Sequence, residues 1–130
     1  MKIEYVLDSS ALLAFLHREP GEDVVKSALA TAAMSAVNVS EVVCKLLAIP
    51  TDVATALATF RATGVEVVPF DYGSACETAA LLSLTKSLGL SLGDRACIAL
   101  ARRSNVPVLT ADRAWKKLAS KLNVDIRIIR

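Results

Sequence analysis

Five short apolar segments alternate with longer helical stretches along this chain of 130 residues. Most of the apolar segments contain β-branched residues, and polar or turn-forming residues bound them, which is typical of buried strands. The predicted strands cover residues 3–7, 33–37, 65–70, 106–110 and 124–129. Because helices separate successive strands, the chain should form a mostly parallel sheet with helices on both faces. The alternation therefore predicts a three-layer α/β/α fold, built as one domain over residues 1–130.

The composition is that of a folded protein. Hydrophobic residues make up 54% of the chain and charged residues 22%, which excludes a disordered segment of this length. No apolar run reaches the roughly 18 residues that a membrane span requires. The first residues include an acid and lead directly into the first strand, so we expect no signal peptide, no membrane association and a cytoplasmic location.

The three cysteines, Cys44, Cys76 and Cys97, each lie among small or apolar neighbours in a predicted helix. Their number is odd, and no pair has a spacing typical of a metal site. We therefore expect three buried free thiols, in preference to a redox or zinc role.

Charge is distributed unevenly along the chain. Residues 1–85 contain five basic and ten acidic side chains, for a net charge of −5, whereas residues 86–130 contain ten basic and three acidic side chains, for +7. A basic C-terminal portion suggests an anionic partner such as nucleic acid. The alternative is an ordinary solvated helical surface, and charge alone does not separate the two.

Four acids occupy a similar place at the junction of a strand and a helix. Asp8 directly follows the first strand, and Asp112 comes just after the fourth. Glu41 follows the second strand, three residues after Asn38, which we interpret as a helix cap. Asp94 should lie in the first turn of a buried helix. Because the carboxyl ends of parallel strands meet at one edge, Asp8, Glu41 and Asp112 should lie near that edge, and Asp94 joins them if its helix packs there. We expect the four carboxylates around one cleft on this topology.

Each acid taken singly has a simpler interpretation as a helix cap. Ser91 and Asp94 have the spacing of a capping box, in which the serine and the acid bond each other's main chain. Asp71 follows the third strand and could be a phosphoacceptor, but the chain lacks the paired acids that receiver and haloacid-dehalogenase folds need after the first strand. We interpret Asp71 as a cap, and the other four acids together as a cation site.

Four neighbouring carboxylates repel one another, and a divalent cation relieves that repulsion. Mg²⁺ and Mn²⁺ prefer carboxylate and water oxygens, and such an ion activates water and stabilises charge on a phosphate. His17 is the only histidine, so zinc chemistry and a Ser-His-Asp triad are poorly supported. We expect His17 at the surface, at a helix end.

Five motifs give the chain a resemblance to the PIN-domain ribonucleases and, within them, to the VapC-type toxins of toxin–antitoxin pairs. They are VLDSSALLA at 6–14, EPG at 19–21, SAVNVSEV at 35–42, LSLGDRACIALA at 90–101 and LTADRAW at 109–115. The resemblance implies a PIN-like fold and a catalytic set of acids in which none is missing: Asp8, Glu41, Asp94 and Asp112.

The same resemblance implies Mg²⁺, with Mn²⁺ as a substitute, held mainly by Asp8 and Asp94. Asp112 and Glu41 would complete the site directly or through water, and Ser9 and Thr110 match small polar positions that support it. The implied partners are a VapB-type antitoxin and a second copy of the chain in a homodimer. Residues 47–50 look shorter than is common in these toxins, which leaves the geometry of the partner contact open.

The sequence thus predicts a toxin that is a Mg²⁺-dependent endoribonuclease hydrolysing RNA through a metal-activated water. Four basic residues beside the cleft are candidates for binding the RNA backbone: Arg95, Arg113, Lys116 and Lys117. The alternatives are a non-catalytic PIN-like module that binds RNA or protein, and a DNA nuclease with the same acids.

Overall fold

A five-stranded sheet lies at the centre of the protein, whose residues 2–130 are described by a computed structural model. The strands are β1 (Tyr5–Leu7), β2 (Ala32–Ser35), β3 (Glu66–Val68), β4 (Val108–Thr110) and β5 (Ile126–Ile128). Their order across the sheet is β3-β2-β1-β4-β5, and all four neighbouring pairs are parallel. The predicted α/β fold is therefore confirmed. The strands are shorter than predicted, and β2 begins one residue earlier.

Helices connect the strands and cover both faces of the sheet. They are α1 (Ser9–Leu16), α2 (Glu22–Ala28), α3 (Ala36–Leu47), α4 (Val53–Arg61), α5 (Tyr72–Ala80), α6 (Leu82–Thr85), α7 (Leu92–Ser104) and α8 (Ala119–Leu122). Short 3₁₀ segments cover Leu29–Thr31, Lys86–Leu88 and Arg113–Leu118. The helical stretch between β3 and α7 is divided into α5, α6 and a 3₁₀ turn. Of the helices in the described residues, none is both long and apolar enough to cross a membrane.

Two hydrophobic cores lie on opposite faces of the sheet. Leu7 of β1 packs into the core formed with α1, α2, α3 and α4, whereas its neighbour Val6 packs into the core formed with α7 and Trp115. Successive residues of a strand point to opposite faces, so this alternation divides one strand between two layers. The three-layer arrangement follows, with the sheet buried between the helices.

The prediction of three buried thiols is wrong for two of them. Cys97 is fully buried in α7, but Cys44 and Cys76 are exposed. In α3 the buried face passes through Val42 and Leu46, and a residue halfway between them points to the opposite side of the helix. Cys76 occupies the equivalent place in α5. The burial of these cysteines therefore depends on which side of the helix each one faces, and not on whether its sequence neighbours are small or apolar.

Candidate active site

The candidate site lies where the strand order of the sheet reverses. β1 is central, and the chain passes first to β2 on one side and later to β4 on the other. In open α/β sheets a crevice forms at the carboxyl ends of the strands at such a point, and ligands bind there. Asp8 follows β1 directly and Thr110 is the last residue of β4. Two positions 102 residues apart in the sequence are thereby brought into contact.

Asp8 is buried at the centre of a hydrogen-bond network. It is 5% exposed, and its carboxylate caps α1 by accepting from the main-chain N–H of Ala11 at 2.8 Å. The Thr110 hydroxyl donates to Oδ2 at 2.6 Å, and the Ser10 hydroxyl lies 2.8 and 2.9 Å from the two carboxylate oxygens. Both carboxylate oxygens of Asp8 are therefore engaged within the protein.

Main-chain groups after β4 fix the direction of these hydroxyl bonds. The N–H of Ala111 donates to Ser10 Oγ at 3.0 Å, and the N–H of Asp112 donates to Thr110 Oγ1 at 3.0 Å. Because each hydroxyl oxygen already accepts a hydrogen bond from a main-chain N–H, its own proton is free to point toward Asp8. The network is thus oriented to stabilise a negative charge on Asp8.

Burial opposes that charge more strongly than the hydrogen bonds support it. Desolvation raises the pKa of the Asp8 carboxyl from 3.8 to about 6, against the lowering effect of the bonds from Thr110, Ala11 and Ser10. The charge of Asp94 makes a smaller contribution to the same shift. An acid with these properties at a cleft is typical of a functional site.

Asp94 stands in the first turn of α7 within the capping box that the sequence predicted. Its main-chain N–H donates to Ser91 Oγ at 3.1 Å, and its Oδ2 accepts from the main-chain N–H of Ser91 at 3.0 Å. Partial burial raises the pKa of the Asp94 carboxyl, as do the charges of Glu41 and Asp112. Asp94 is therefore a helix cap and also a member of the acid cluster.

Glu41 reaches the cluster from α3, although not in the way that the sequence suggested. The helix begins at Ala36 with Ser35 as its N-cap, whose hydroxyl accepts from the N–H of Val37 at 3.3 Å. Asn38 is consequently not a cap, and Glu41 lies in the second turn. Its Oε1 accepts from Ser9 Oγ at 3.0 Å and from Asn38 Nδ2 at 2.9 Å.

Asp112 is the most exposed of the four acids. It caps the 3₁₀ segment Arg113–Leu118, with Oδ1 accepting from the N–H of Ala114 at 3.0 Å. Asp71, by contrast, caps α5 by accepting from the N–H of Ser74 at 2.9 Å, as expected, and is not among the acids whose charges act on Asp8 or Asp94.

The acids form a loose cluster without the tight convergence of a ready metal cage. Within residues 2–130, no three acidic, histidine or cysteine side chains are placed so that they could hold a metal ion as they stand. The donor chemistry nevertheless fits a hard cation, because every candidate ligand is a carboxylate or hydroxyl oxygen and burial penalises the charge on Asp8.

The four basic candidates differ in their surroundings. The Arg95 guanidinium points to α5, 3.5 Å from the carbonyl of Thr78, and its Nε is buried with no partner among the described residues. Arg113 donates to the main-chain oxygen of Arg130 at 3.0 Å, and Lys116 to that of Ile126 at 3.4 Å. Arg113, Lys116 and Lys117 are exposed. His17 is exposed and ends α1, as predicted.

Sequence reasoning overlooked three positions. Ser10 bonds the Asp8 carboxylate, whereas Ser9, which was expected to support the metal site, donates to Glu41. Asn38 contacts Glu41, one helical turn away, and that i, i+3 spacing was a usable signal. Gly93 passes so close to Glu41 that a side chain at this position would collide with the carboxylate.

The all-parallel sheet with acids at its switch point places the protein among α/β proteins whose site is built at strand carboxyl ends. The family model of the PIN domain matches residues 5–121, and the chain belongs to the PIN domain family. No curated protein matches the chain significantly by sequence.

Solved structures of low sequence identity share the fold over nearly the full length of both chains. A toxin–antitoxin complex from Klebsiella pneumoniae is 14% identical with a TM-score of 0.75, covering 98% of each chain. FitAcB from Neisseria gonorrhoeae is 20% identical with a TM-score of 0.71, covering 96% of this chain and 97% of the other. VapBC-5 from Mycobacterium tuberculosis, a member of the VapBC family of toxin–antitoxin systems, is 25% identical with a TM-score of 0.62, covering 98% of each chain.

Proposed function

We propose that this protein is the toxin of a type II toxin–antitoxin system and acts as a metal-dependent endoribonuclease. The observation that carries the proposal is the set of four acids, from four different elements, gathered at the switch point of a PIN-family sheet. Structural similarity to toxin–antitoxin complexes supports the toxin role. The reaction would be hydrolysis of an RNA phosphodiester bond by an activated water.

The acids would act together as ligands for Mg²⁺ or Mn²⁺. Asp8, Asp94 and Asp112 are the proposed ligands, and Glu41 completes the charge of the site directly or through water. A bound cation would supply a water of lowered pKa and neutralise charge on the phosphate. Thr110 hydrogen-bonds the Asp8 carboxylate, while Ser9 does the same for Glu41. The exposed cations Arg113, Lys116 and Lys117, together with Arg95, would bind the flanking backbone.

Cleavage of RNA by purified protein tests this proposal directly. Wild type should cut single-stranded RNA with Mg²⁺ or Mn²⁺ and should lose activity in EDTA, whereas Asp8→Asn and Asp94→Asn should each be inactive. Asp71→Asn is the matched control, because Asp71 also follows a strand and caps a helix but lies outside the cluster. Full activity of either Asp8→Asn or Asp94→Asn would refute the assignment. A DNA substrate run in parallel distinguishes a DNA nuclease.

A second candidate is a PIN-like module that binds RNA or a protein without cutting. It is favoured by the three donors that Asp8 already has within the protein, Ser10, Ala11 and Thr110, and by the absence, among residues 2–130, of a preformed cage. If Mg²⁺ and Mn²⁺ neither raise the melting temperature nor support cleavage, this candidate replaces the nuclease.

We also propose a VapB-type antitoxin as a partner, because structurally similar proteins include a toxin–antitoxin complex and VapBC complexes. A homodimer of this chain is a second proposed partner, which rests on the resemblance in sequence. Co-expression with the product of the adjacent reading frame should yield one complex on gel filtration, in which RNA cleavage is suppressed. Separate elution of the two proteins with full cleavage would contradict the antitoxin assignment. The mass of the free protein, measured by light scattering, tests the dimer.

A further inference from the structure

Asn38 is a buried polar residue that the four-acid scheme leaves without a role. It lies in α3 with 1% of its surface exposed, one turn before Glu41. Polar side chains so deeply buried are normally hydrogen-bonded, because an unpaired polar group destabilises the fold. What Asn38 bonds therefore indicates why a polar residue is placed there.

The Asn38 side chain makes two hydrogen bonds, and its amide nitrogen is the donor in both. Nδ2 donates to Glu41 Oε1 at 2.9 Å and to the main-chain carbonyl of Gly93 at 3.0 Å. The orientation of the amide is determined by its neighbours, since both are acceptors and a flipped amide would place oxygen against oxygen. The two protons of one amino group thus join α3 to the first turn of α7.

The amide oxygen of Asn38 takes no part in these contacts. Asn38 Oδ1 is buried and has no hydrogen-bond partner in the described part of the chain. The side chain therefore contributes to the contact between α3 and α7 through its nitrogen alone.

Gly93 makes the contact between the two helices possible. A Cβ atom at this position would lie 2.6 Å from Cδ of Glu41, well inside the contact distance of two carbon atoms. Gly93 is not among the glycines with positive φ, so the requirement here is for space and not for a special backbone conformation. The next residue in α7 is Asp94, so the Glu41 carboxylate that packs against Gly93 lies beside Asp94 as well.

We propose that Asn38 is a positioning residue, which holds the Glu41 carboxylate against the first turn of α7 and beside Asp94, in the space that Gly93 leaves open. Asn38 does not contact the cation or the substrate in this proposal and acts only through Glu41. The inference rests on the proposed function, because the placement of Glu41 matters to catalysis only where the acids bind a cation.

Metal-free protein provides the first test. The chain contains three asparagines and no glutamine, so ¹⁵N-labelled protein shows only three side-chain amide pairs. Asn105 and Asn123 are exposed and serve as internal references. In EDTA, the Asn38 amide protons should exchange with water at least about tenfold more slowly than the reference pairs. Their resonances should move when Glu41 is replaced by alanine.

Mn²⁺ affinity provides the second test, measured from the electron paramagnetic resonance signal of the free ion. Loss of a side chain that orients a metal ligand typically weakens binding about tenfold or more, and we expect this of Asn38→Ala. In a Glu41→Ala background the same change should have less than about a twofold effect, because its target is gone. Gly93→Ala should weaken binding as well, although alanine is the better helix former.

Thr85→Val is the matched control for a lost buried bond. Thr85 is 1% exposed, and its hydroxyl donates to the carbonyl of Leu81 at 2.8 Å, outside the acid cluster. This variant should bind Mn²⁺ as wild type does. Wild-type affinity in Asn38→Ala, or an equal loss with and without Glu41, would overturn the positioning role.

The two proposals fail in different ways. If wild type binds no Mn²⁺, the proposed metal-dependent function falls, and the amide exchange in EDTA still decides the role of Asn38. If the Asn38 amide exchanges as fast as those of Asn105 and Asn123, or does not respond to Glu41→Ala, the inference is wrong even in an active nuclease.

Discussion

Ionisation of Asp8 should make the metal-free protein less stable as the pH rises. Burial raises the pKa of this carboxyl to about 6 in the folded state, against 3.8 for an unperturbed group. Below pH 4 the group is protonated in both states and costs nothing. Between pH 4 and 6 the carboxyl ionises in the unfolded state first, which lowers the free energy of the unfolded state relative to the folded state. Above pH 6 the resulting loss of stability is complete.

The size of this effect follows from the shift. A shift of roughly two pKa units corresponds to about 3 kcal/mol, of which about 2 kcal/mol falls between pH 4.5 and 7.5. Asp8→Asn removes the titrating group and retains an oxygen to accept from Ala11. Relative to wild type, this variant should therefore gain about 2 kcal/mol of stability between those two pH values.

Urea unfolding in EDTA, followed by the fluorescence of the single buried Trp115, measures this difference. Comparing variant with wild type at each pH cancels the titration of the other acids. Asp71→Asn is the opposite control, because the hydrogen bond from Ser74 lowers the pKa of that exposed cap, and the variant should lose stability toward neutral pH. Parallel pH profiles for wild type and Asp8→Asn would refute the argument that a buried charge is held at this site.

Three further outcomes follow from the same contacts. Thr110→Val removes a donor from buried Asp8 and should cost about 1–3 kcal/mol in urea unfolding at pH 7.5, with a smaller loss at pH 4.5, where Asp8 is protonated; equal losses would contradict this. Gly21→Ala would place a Cβ less than 3 Å from Ile129 at a backbone φ of 96°. Gly64→Ala has a positive φ but open space around its Cβ, and it should cost about 1–2 kcal/mol of stability. Gly21→Ala should therefore lower the melting temperature more than Gly64→Ala does. A thiol reagent should modify Cys44 and Cys76 in the native protein and Cys97 only after unfolding. The absorbance of the chromophore that the reagent releases counts the modified thiols.

The local sequence was sufficient for the elements and their order. Short apolar runs bounded by polar or turn-forming residues predicted all five strands, because strand and helix periods leave different patterns in the chain. The capping box of Ser91 and Asp94 was also visible, since it depends on atoms only three residues apart. Asp71 was interpreted correctly as a cap for the same reason.

Predictions that required an exact helix start were less successful. Asn38 matched the pattern of a cap, but Ser35 three residues earlier starts α3. Moving the start by one turn buries Asn38 and places Glu41 in the second turn. The exposure of Cys44 and Cys76 has a related cause, because their immediate neighbours are small or apolar while the buried face lies on the other side of each helix.

The sequence by itself determined that Asp8 and Asp112 follow strands of a parallel sheet and that Asp94 stands in the first turn of a helix, because these features follow from local pattern and from the geometry of crossover connections. Only the tertiary structure decided that β4 lies beside β1, and so that Thr110 donates to Asp8 from 102 residues away. It also decided that Ser10 serves Asp8 while Ser9 serves Glu41. Strand order and helix approach depend on how whole layers pack, and no short stretch of sequence contains that information.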